Sequence, residues 1–85
     1  MRSEFSISSA RVPTLGDYVS FEIHDGEVMK PAKISRTALA VLGRGSFEPD
    51  IRIFEHHKEK IREAAYRKYV DHPSARLVSL SSDDL

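Results

Sequence analysis

Apolar and polar residues alternate along the segment 18–23, which is the period of a strand with one buried face. Its apolar positions are Val19, Phe21 and Ile23. The Asp25-Gly26 dipeptide that follows favours a two-residue hairpin turn of type I′. With this turn, the predicted cross-strand pairs are His24 with Glu27, Ile23 with Val28, Phe21 with Lys30 and Val19 with Ala32. The sequence therefore predicts a hairpin whose one face is apolar except at Lys30.

Pro31 conflicts with a regular second strand. In the predicted register it faces Ser20, at a position where a backbone N–H would donate a ladder hydrogen bond, and proline has no such group. We therefore expect the strand to bulge or break near Lys30-Pro31, or to lie at a sheet edge.

Residues 34–43 have the pattern of a short helix. Ser35 is a suitable N-cap, and Gly43 suits the left-handed conformation in which many helices end. The residues expected to face the core are Ala38, Leu39 and Leu42.

A longer helix is predicted from residue 48 or 49 to residues 69–71, with Ser46 as a cap and His72-Pro73 after its end. On a helical wheel its apolar stripe consists of Phe47, Ile51, Phe54, Ile61, Ala65 and Tyr69. The opposite, solvated face carries Arg52, His56, Glu59, Glu63 and Arg67. This helix would supply much of the core.

Residues 75–80 are predicted to form a strand that returns to the sheet, and Phe5-Ser6-Ile7 a short edge strand. The predicted fold class is α+β, a small antiparallel sheet packed against one short and one long helix. The chain has 85 residues, which suits a single domain over 1–85 with its core at about 12–80 and a polar tail at 81–85.

Composition narrows the class of protein. The 13 basic and 13 acidic residues balance, so the chain has no overall charge that would attract nucleic acid. There is no cysteine, which favours a reducing compartment. No apolar run approaches the ~20 residues that a transmembrane helix needs. Residues 1–7 do not have the pattern of a signal peptide. We therefore expect a cytoplasmic protein that is not in a membrane.

Three motifs carry a resemblance to a known protein family: Val19-x-Phe21 with Gly26, Ile34-Ser35-x-x-Ala38-Leu39, and Phe54-x-x-His57-Lys58-x-x-Ile61-x-x-x-Ala65. Over roughly residues 12–80 the chain resembles a family of short bacterial proteins, the domain of unknown function numbered 1488. The resemblance implies an antiparallel sheet packed against two helices, with a final strand after the long helix, and it implies no activity. The chain departs from the commoner pattern at Pro31 and at Lys58, where an arginine is more usual.

His57 and Lys58 are the candidate binding residues. On the wheel, Lys58 falls in the apolar stripe between Phe54 and Ile61, and His57 lies at its border. In one interpretation Lys58 lays its methylenes along the core edge and extends its ammonium to water, for example toward Glu22. In the other, the pair contacts an anion or an acidic partner where helix and sheet meet.

Other chemistry is disfavoured by spacing. His56, Glu59 and Glu63 share a helix face but match no zinc signature, so we expect no metal and no cofactor. None of the eleven serines lies in a nucleophile elbow. The segment Gly43-Arg44-Gly45-Ser46 lacks a Walker lysine and a preceding strand, so it is interpreted as a linker between helices.

Residues 52–68 contain six basic and three acidic side chains, interleaved, and are the candidate for nucleic-acid binding. Such interleaving is more typical of a solvated helix surface. The sequence therefore predicts a non-catalytic binding or adaptor module rather than an enzyme. It would bind a protein partner through an open sheet edge or the long helix. The alternative is a weak nucleic-acid-binding protein that uses the long helix. The identity of the partner and the oligomeric state do not follow from the sequence.

Overall fold

A computed structural model of the chain describes residues 5–11, 16–45 and 47–85. The fold is α+β, as predicted: a four-stranded, mostly antiparallel sheet packs against three helices. The strands are Phe5–Ile7 (β1), Tyr18–Asp25 (β2), Val28–Ser35 (β3) and Val78–Leu80 (β4), in that order across the sheet. The helices are Arg36–Gly43 (α1), Asp50–His56 (α2) and Lys58–Asp71 (α3), and Ser82–Asp84 forms a 3-10 turn. Strand β4 runs parallel to β3, and the other pairs are antiparallel.

The hairpin register differs from the predicted one by two residues. The observed pairs include Val19 with Ile34, Phe21 with Ala32 and Ile23 with Lys30. A type I′ turn would need a positive φ at Asp25, but among the described non-glycine residues only Arg44 has one. Gly26, with φ of 63°, is instead the first central residue of the turn, the place that a type II′ turn reserves for glycine. A shift of two residues keeps each side chain on its face, so the predicted apolar face is correct and the predicted pairs are wrong.

Strand β3 continues through Pro31 because this residue faces an unpaired edge. Its partner Glu22 exchanges hydrogen bonds with Ser8, whose N–H donates to the Glu22 carbonyl (2.9 Å) and whose Oγ accepts from the Glu22 N–H (2.8 Å). Backbone groups point alternately to the two sides of a strand, so the Pro31 nitrogen points away from β2. Strand β4 pairs with β3 only from Ala32 onward. Of the three outcomes expected at Pro31, the edge position is therefore the correct one.

Ser35 is the N-cap of α1 as predicted, because its Oγ accepts a hydrogen bond from the Ala38 N–H at 3.0 Å, whereas Ile34, which was included in the predicted helix, belongs to β3. The buried residues of α1 are Ala38, Leu39 and Leu42, also as predicted. The left-handed residue, however, is Arg44 with φ of 48°, and not Gly43. Gly43 is the last helical residue and serves close packing, since a Cβ on it would lie 3.0 Å from Ile53 Cδ1.

The single long helix predicted from residue 48 is in fact two helices. His57, with φ of −113° and ψ of 24°, leaves the helical region and separates α2 from α3. The His57 N–H still donates to the Ile53 carbonyl at 3.1 Å, and the Ile61 N–H donates to the His57 carbonyl at 3.0 Å. The chain therefore passes from α2 into α3 with helical hydrogen bonds on both sides of His57.

The ends of these helices are only partly as predicted. Helix α2 begins at Asp50 with Pro49 as its N-cap residue, and the predicted cap Ser46 lies outside the described residues. Helix α3 ends at Asp71, directly before His72-Pro73, as predicted. A proline disfavours the helical conformation of the residue before it, which explains the stop.

The break also changes which side chains reach the core. Phe47 was predicted on the apolar stripe but is fully exposed, because residues 47–49 are not helical and the wheel does not apply to them. Ile53, outside the predicted stripe, is buried. The buried residues of α2 and α3 are Ile53, Phe54, Ile61, Ala64 and Ala65. The residues predicted on the solvated face are exposed, as expected: Arg52, His56, Glu59, Glu63 and Arg67. The ring of Phe54 meets Phe21 of β2 with centroids 5.2 Å apart, which joins helix and sheet.

The core extends beyond the predicted limits at its N-terminal side. Strand β1 forms where the short edge strand was predicted, and its Phe5 and Ile7 are buried. Strand β4 spans only Val78–Leu80, shorter than the predicted 75–80. Residues 81–85, predicted as a polar tail, include the 3-10 turn, in which Asp84 is tied to Lys68 of α3. Both ends of the described chain therefore contact the body of the fold.

Candidate functional site

His57 and Lys58 occupy different environments, although they are adjacent in sequence. His57 lines a surface groove, whereas Lys58, the first residue of α3, is half-buried and does not line it. The suggested approach of Lys58 to Glu22 is wrong, because Glu22 lies on the sheet face that points away from the helices. There its Oε1 lies 3.6 Å from the Nε2 of His24.

The groove lies between α1 and α3 and has a volume of about 350 Å³. Its apolar part is formed by Val41, Leu42 and Leu85. Its polar rim is formed by Arg44, His57, Lys60, Glu63 and Arg67. We call this surface the α1–α3 groove.

Helical geometry explains how the sequence builds this rim. Residues three and four apart lie on the same side of a helix, and Lys60, Glu63 and Arg67 follow that spacing along α3. Arg44 joins them from the other wall. Its left-handed backbone ends α1, with its N–H donating to the Ala40 carbonyl at 3.0 Å.

The rim has a local surplus of positive charge in a chain that is neutral overall. Three of its side chains are cations (Arg44, Lys60 and Arg67) and one, Glu63, is an anion. All four are exposed, so each keeps its hydration and contributes on the order of 0.2–1 kcal/mol to an ionic contact. The groove is suited to a ligand that combines negative charge with an apolar group.

Residues 81–85, which we call the tail segment, border the groove at α3. The Lys68 Nζ lies 3.1 Å from Asp84 Oδ1 and 3.2 Å from its Oδ2. Arg67 donates from Nη2 to the Asp84 carbonyl at 3.4 Å, and Leu85 lines the groove. One side of the groove is therefore made by a segment that is held by ionic contacts.

The Asp84 carboxylate is also bound within the tail segment, where the Ser81 N–H donates to Oδ2 at 2.8 Å. Burial by itself raises the pKa of this carboxyl. The Ser81 N–H, the Lys68 ammonium and the Ser81 hydroxyl together outweigh burial, so the pKa of Asp84 lies below its ordinary value of 3.8. The ionised form of Asp84 therefore favours docking of the tail segment.

The sheet edges are less suited to binding a partner strand than the groove is. On β1, the Phe5 carbonyl accepts from Arg62 Nε at 3.3 Å. The part of β3 beyond β4 carries Pro31, which has no N–H to donate, and β4 has only three residues. Of the two routes to a partner that the sequence suggested, the helical surface is the more favourable.

The six basic residues of segment 52–68 do not form one patch. Arg62 donates to the Phe5 carbonyl of β1, and Lys68 pairs with Asp84. Lys60 and Arg67 line the groove, whereas the half-buried Lys58 does not. Duplex binding is favoured by a continuous basic face, whereas two of these six cations, Arg62 and Lys68, are engaged in contacts within the fold.

His56 and the segment after Gly43 are the remaining candidate positions from the sequence. His56 approaches Glu48, with Nδ1 and Oε1 3.2 Å apart. Within residues 5–11, 16–45 and 47–85, no three or more histidine, aspartate or glutamate side chains come together as metal ligands would. The segment after Gly43 connects α1 to α2, as the linker interpretation predicted. Of the helices that the structure describes, none has the length and apolar character needed to cross a bilayer.

The sequence pattern singled out His57, which lines the groove, but gave no indication of the groove itself. Val41, Arg44 and Leu85 come from segments distant from α3, and only the fold brings them to it. A positive φ at an arginine is uncommon and has no signal in the sequence, although the neighbouring glycines mark a turn. No family model matches the chain, and no curated protein or solved structure matches it either. The resemblance to the domain of unknown function therefore stays a prediction.

Proposed function

We propose that this protein is a non-catalytic binding module that holds an acidic segment of a partner protein in the α1–α3 groove. The observation that carries this proposal is the arrangement of Arg44, Lys60 and Arg67 around an apolar floor. Cations on a rim select acidic side chains, and the floor takes an apolar side chain of the same segment. The lack of cysteine supports the cytoplasm as its location.

A protein segment suits the groove better than nucleic acid does. Glu63 lies in the rim among the cations and would repel a phosphate backbone, in which every unit is charged. An acidic peptide can instead place a neutral or basic residue opposite Glu63. The apolar side chains of Val41 and Leu42 also have no counterpart in a phosphate backbone.

The proposal is tested with labelled synthetic peptides of ~12 residues, a length that spans a groove of this kind. One peptide contains Asp, Glu, Leu and Ser, and its neutral twin carries Asn and Gln in place of Asp and Glu. Fluorescence anisotropy is measured at about 50 and about 200 mM salt, because screening separates ionic from apolar contributions. We expect the acidic peptide to bind at least tenfold more tightly than its twin at the lower salt.

Charge reversal identifies the binding surface. In the double variant Arg44→Glu with Lys60→Glu, the net charge of the groove rim changes from positive to negative. Both side chains are exposed, so the substitutions do not alter the core. The matched control, Arg52→Glu with Arg76→Glu, makes the same change of net charge at exposed positions outside the groove. The proposal requires that the first variant loses binding and that the control keeps it.

Two results would contradict the proposal. Equal binding of the acidic and neutral peptides would mean that the rim does not select charge. If neither peptide binds, and duplex DNA or single-stranded RNA binds at submicromolar concentration with an affinity that weakens steeply with salt, the proposal is wrong and the nucleic-acid alternative is favoured.

A further inference from the structure

The tail segment has the same chemistry that the groove is suited to bind. Asp83 and Asp84 are acidic and Leu85 is apolar, in that order. Asp84 accepts charge-assisted hydrogen bonds from Lys68 at its carboxylate and from Arg67 at its carbonyl. Leu85 meanwhile lines the groove. The tail segment therefore places its apolar residue in the groove and its acidic residue directly beside the groove, on Lys68.

Arg67 connects the two surfaces, because it both lines the groove and binds the tail segment. A partner carboxylate that takes the Arg67 guanidinium would compete with the Asp84 carbonyl for the same donor. Lys68 and Asp84 keep 34% and 21% of their side-chain surface exposed, so water and a competing anion can reach this ion pair. A partner carboxylate can therefore displace the docked tail segment.

We propose that the tail segment is a built-in competitor for the α1–α3 groove, and that partner segments share the pattern of Asp84-Leu85, an acidic residue followed directly by an apolar one, whose apolar side chain takes the place of Leu85. This inference rests on the proposed function, since it names the sequence class that the groove binds and a contact that limits access to it. It predicts that loosening the tail segment strengthens binding of an acidic peptide.

The test compares Asp84→Asn with Asp83→Asn. Asparagine at 84 keeps the shape of the side chain but removes the charge that Lys68 holds. Asparagine at 83 removes the same charge from the neighbouring exposed residue, and so reproduces the general loss of repulsion toward an acidic peptide. We expect Asp84→Asn to tighten peptide binding three- to tenfold and Asp83→Asn to change it less than twofold.

The peptides for this test contain Ser-Asp-Asp-Leu, or the same residues in the order Leu-Ser-Asp-Asp, within otherwise identical flanks. The first order should bind more tightly, because it matches the tail segment. A second readout is the amide NMR signals of residues 82–85 in the unmodified protein. On saturation with the first peptide, these signals should move toward the values of an unstructured chain.

The outcomes separate this inference from the proposed function. If the peptide binds in the groove but Asp84→Asn and Asp83→Asn have equal effects, the competitor role is wrong and the proposed function stands. Weaker binding by Asp84→Asn, or unchanged signals from residues 82–85 at saturation, would also overturn the competitor role alone. If neither the unmodified protein nor Asp84→Asn binds either peptide, both proposals fail.

Discussion

Gly43, the last residue of α1, packs so closely on Ile53 of α2 that a Cβ at position 43 would lie 3.0 Å from Ile53 Cδ1. Ile53 is buried, and densely packed interiors leave such a side chain little room to withdraw. This contact holds the end of α1 against α2. It thereby positions Arg44, the next residue, at the rim of the α1–α3 groove.

Gly43→Val is therefore expected to destabilise the fold by overpacking, at a cost of about 1–3 kcal/mol. Urea denaturation followed by circular dichroism measures the free energy of unfolding. The control is Ala40→Val, which places a valine at an exposed position of the same helix and should cost no more than about 0.7 kcal/mol of helix propensity. Equal effects of the two changes would show that the Gly43–Ile53 contact tolerates a larger residue.

Ile61 and Phe47 share the apolar stripe that the sequence predicts for one long helix, but they have opposite environments in the structure. Ile61 is completely buried and Phe47 is fully exposed. Ile61→Asp should prevent stable folding, because it leaves an unpaired charge in the core at a cost of at least several kcal/mol. Phe47→Asp should change the free energy of unfolding by less than about 0.5 kcal/mol. A cooperative melt of Ile61→Asp near the temperature of the unmodified protein would contradict the buried position of Ile61.

These two residues also show what a sequence can predict about this fold. Periodicity reports which face of an element is apolar, and so the inner face of the hairpin and the core residues of α1 are predicted correctly. It does not report where a helix is interrupted. His57 has neither a proline nor a glycine beside it, so the local sequence gives no signal of its departure from helical geometry.

The hairpin register was mispredicted for a related reason. Asp25-Gly26 is compatible with more than one turn type, and the choice decides the cross-strand partners. Adopting Gly26-Glu27 as the turn places Lys30 opposite Ile23 and lets Ala32 and Ile34 fill the apolar face. The pairing of whole strands therefore outweighed the preference of one dipeptide.

The candidate site was less predictable than the fold. His57 was singled out because a polar residue bordered an apolar stripe, and it does line the groove. Arg44 and Leu85 were not singled out, because they approach α3 only through the packing of α1 and of the tail segment. Surface charges that converge from distant segments have no signature in local spacing.

Lys58 and Lys30 allow a further prediction, because both are half-buried but differ in their contacts. Lys30 donates from Nζ to the Pro73 carbonyl at 3.1 Å and lies 4.9 Å from the Tyr69 ring centroid. Lys30→Met should therefore lower the free energy of unfolding by about 1 kcal/mol, through loss of the hydrogen bond and the cation–π contact. Lys58→Met should be neutral or stabilising, because it keeps the apolar stem and removes the ammonium.

Urea denaturation of both variants and the unmodified protein provides the comparison between the two lysines. A loss above about 2 kcal/mol for Lys58→Met would contradict the prediction, since a change of this size is typical of a broken buried ion pair. An unchanged stability for Lys30→Met would mean that its contacts with Pro73 and Tyr69 contribute nothing in solution.

The Lys68–Asp84 ion pair makes part of the stability depend on pH. The pKa of Asp84 is lowered in the folded protein, so the ionised form favours folding. Its contribution is fully present above the ordinary value of 3.8 and is lost as the pH falls through the lower pKa of the folded state. Because both side chains are partly exposed, we expect this contribution not to exceed about 1 kcal/mol.

This prediction is checked by comparing the unmodified protein with Asp84→Asn in urea denaturation from about pH 7 to about pH 2, a range that spans carboxylate titration. The unmodified protein should be the more stable of the two at neutral pH, and the difference should shrink as Asp84 is protonated. Asp83→Asn controls for the loss of one negative charge without loss of the Lys68 contact. A difference that stays constant across this range would contradict the prediction, because a contribution from the charge of Asp84 must change as its carboxyl is protonated and asparagine does not titrate.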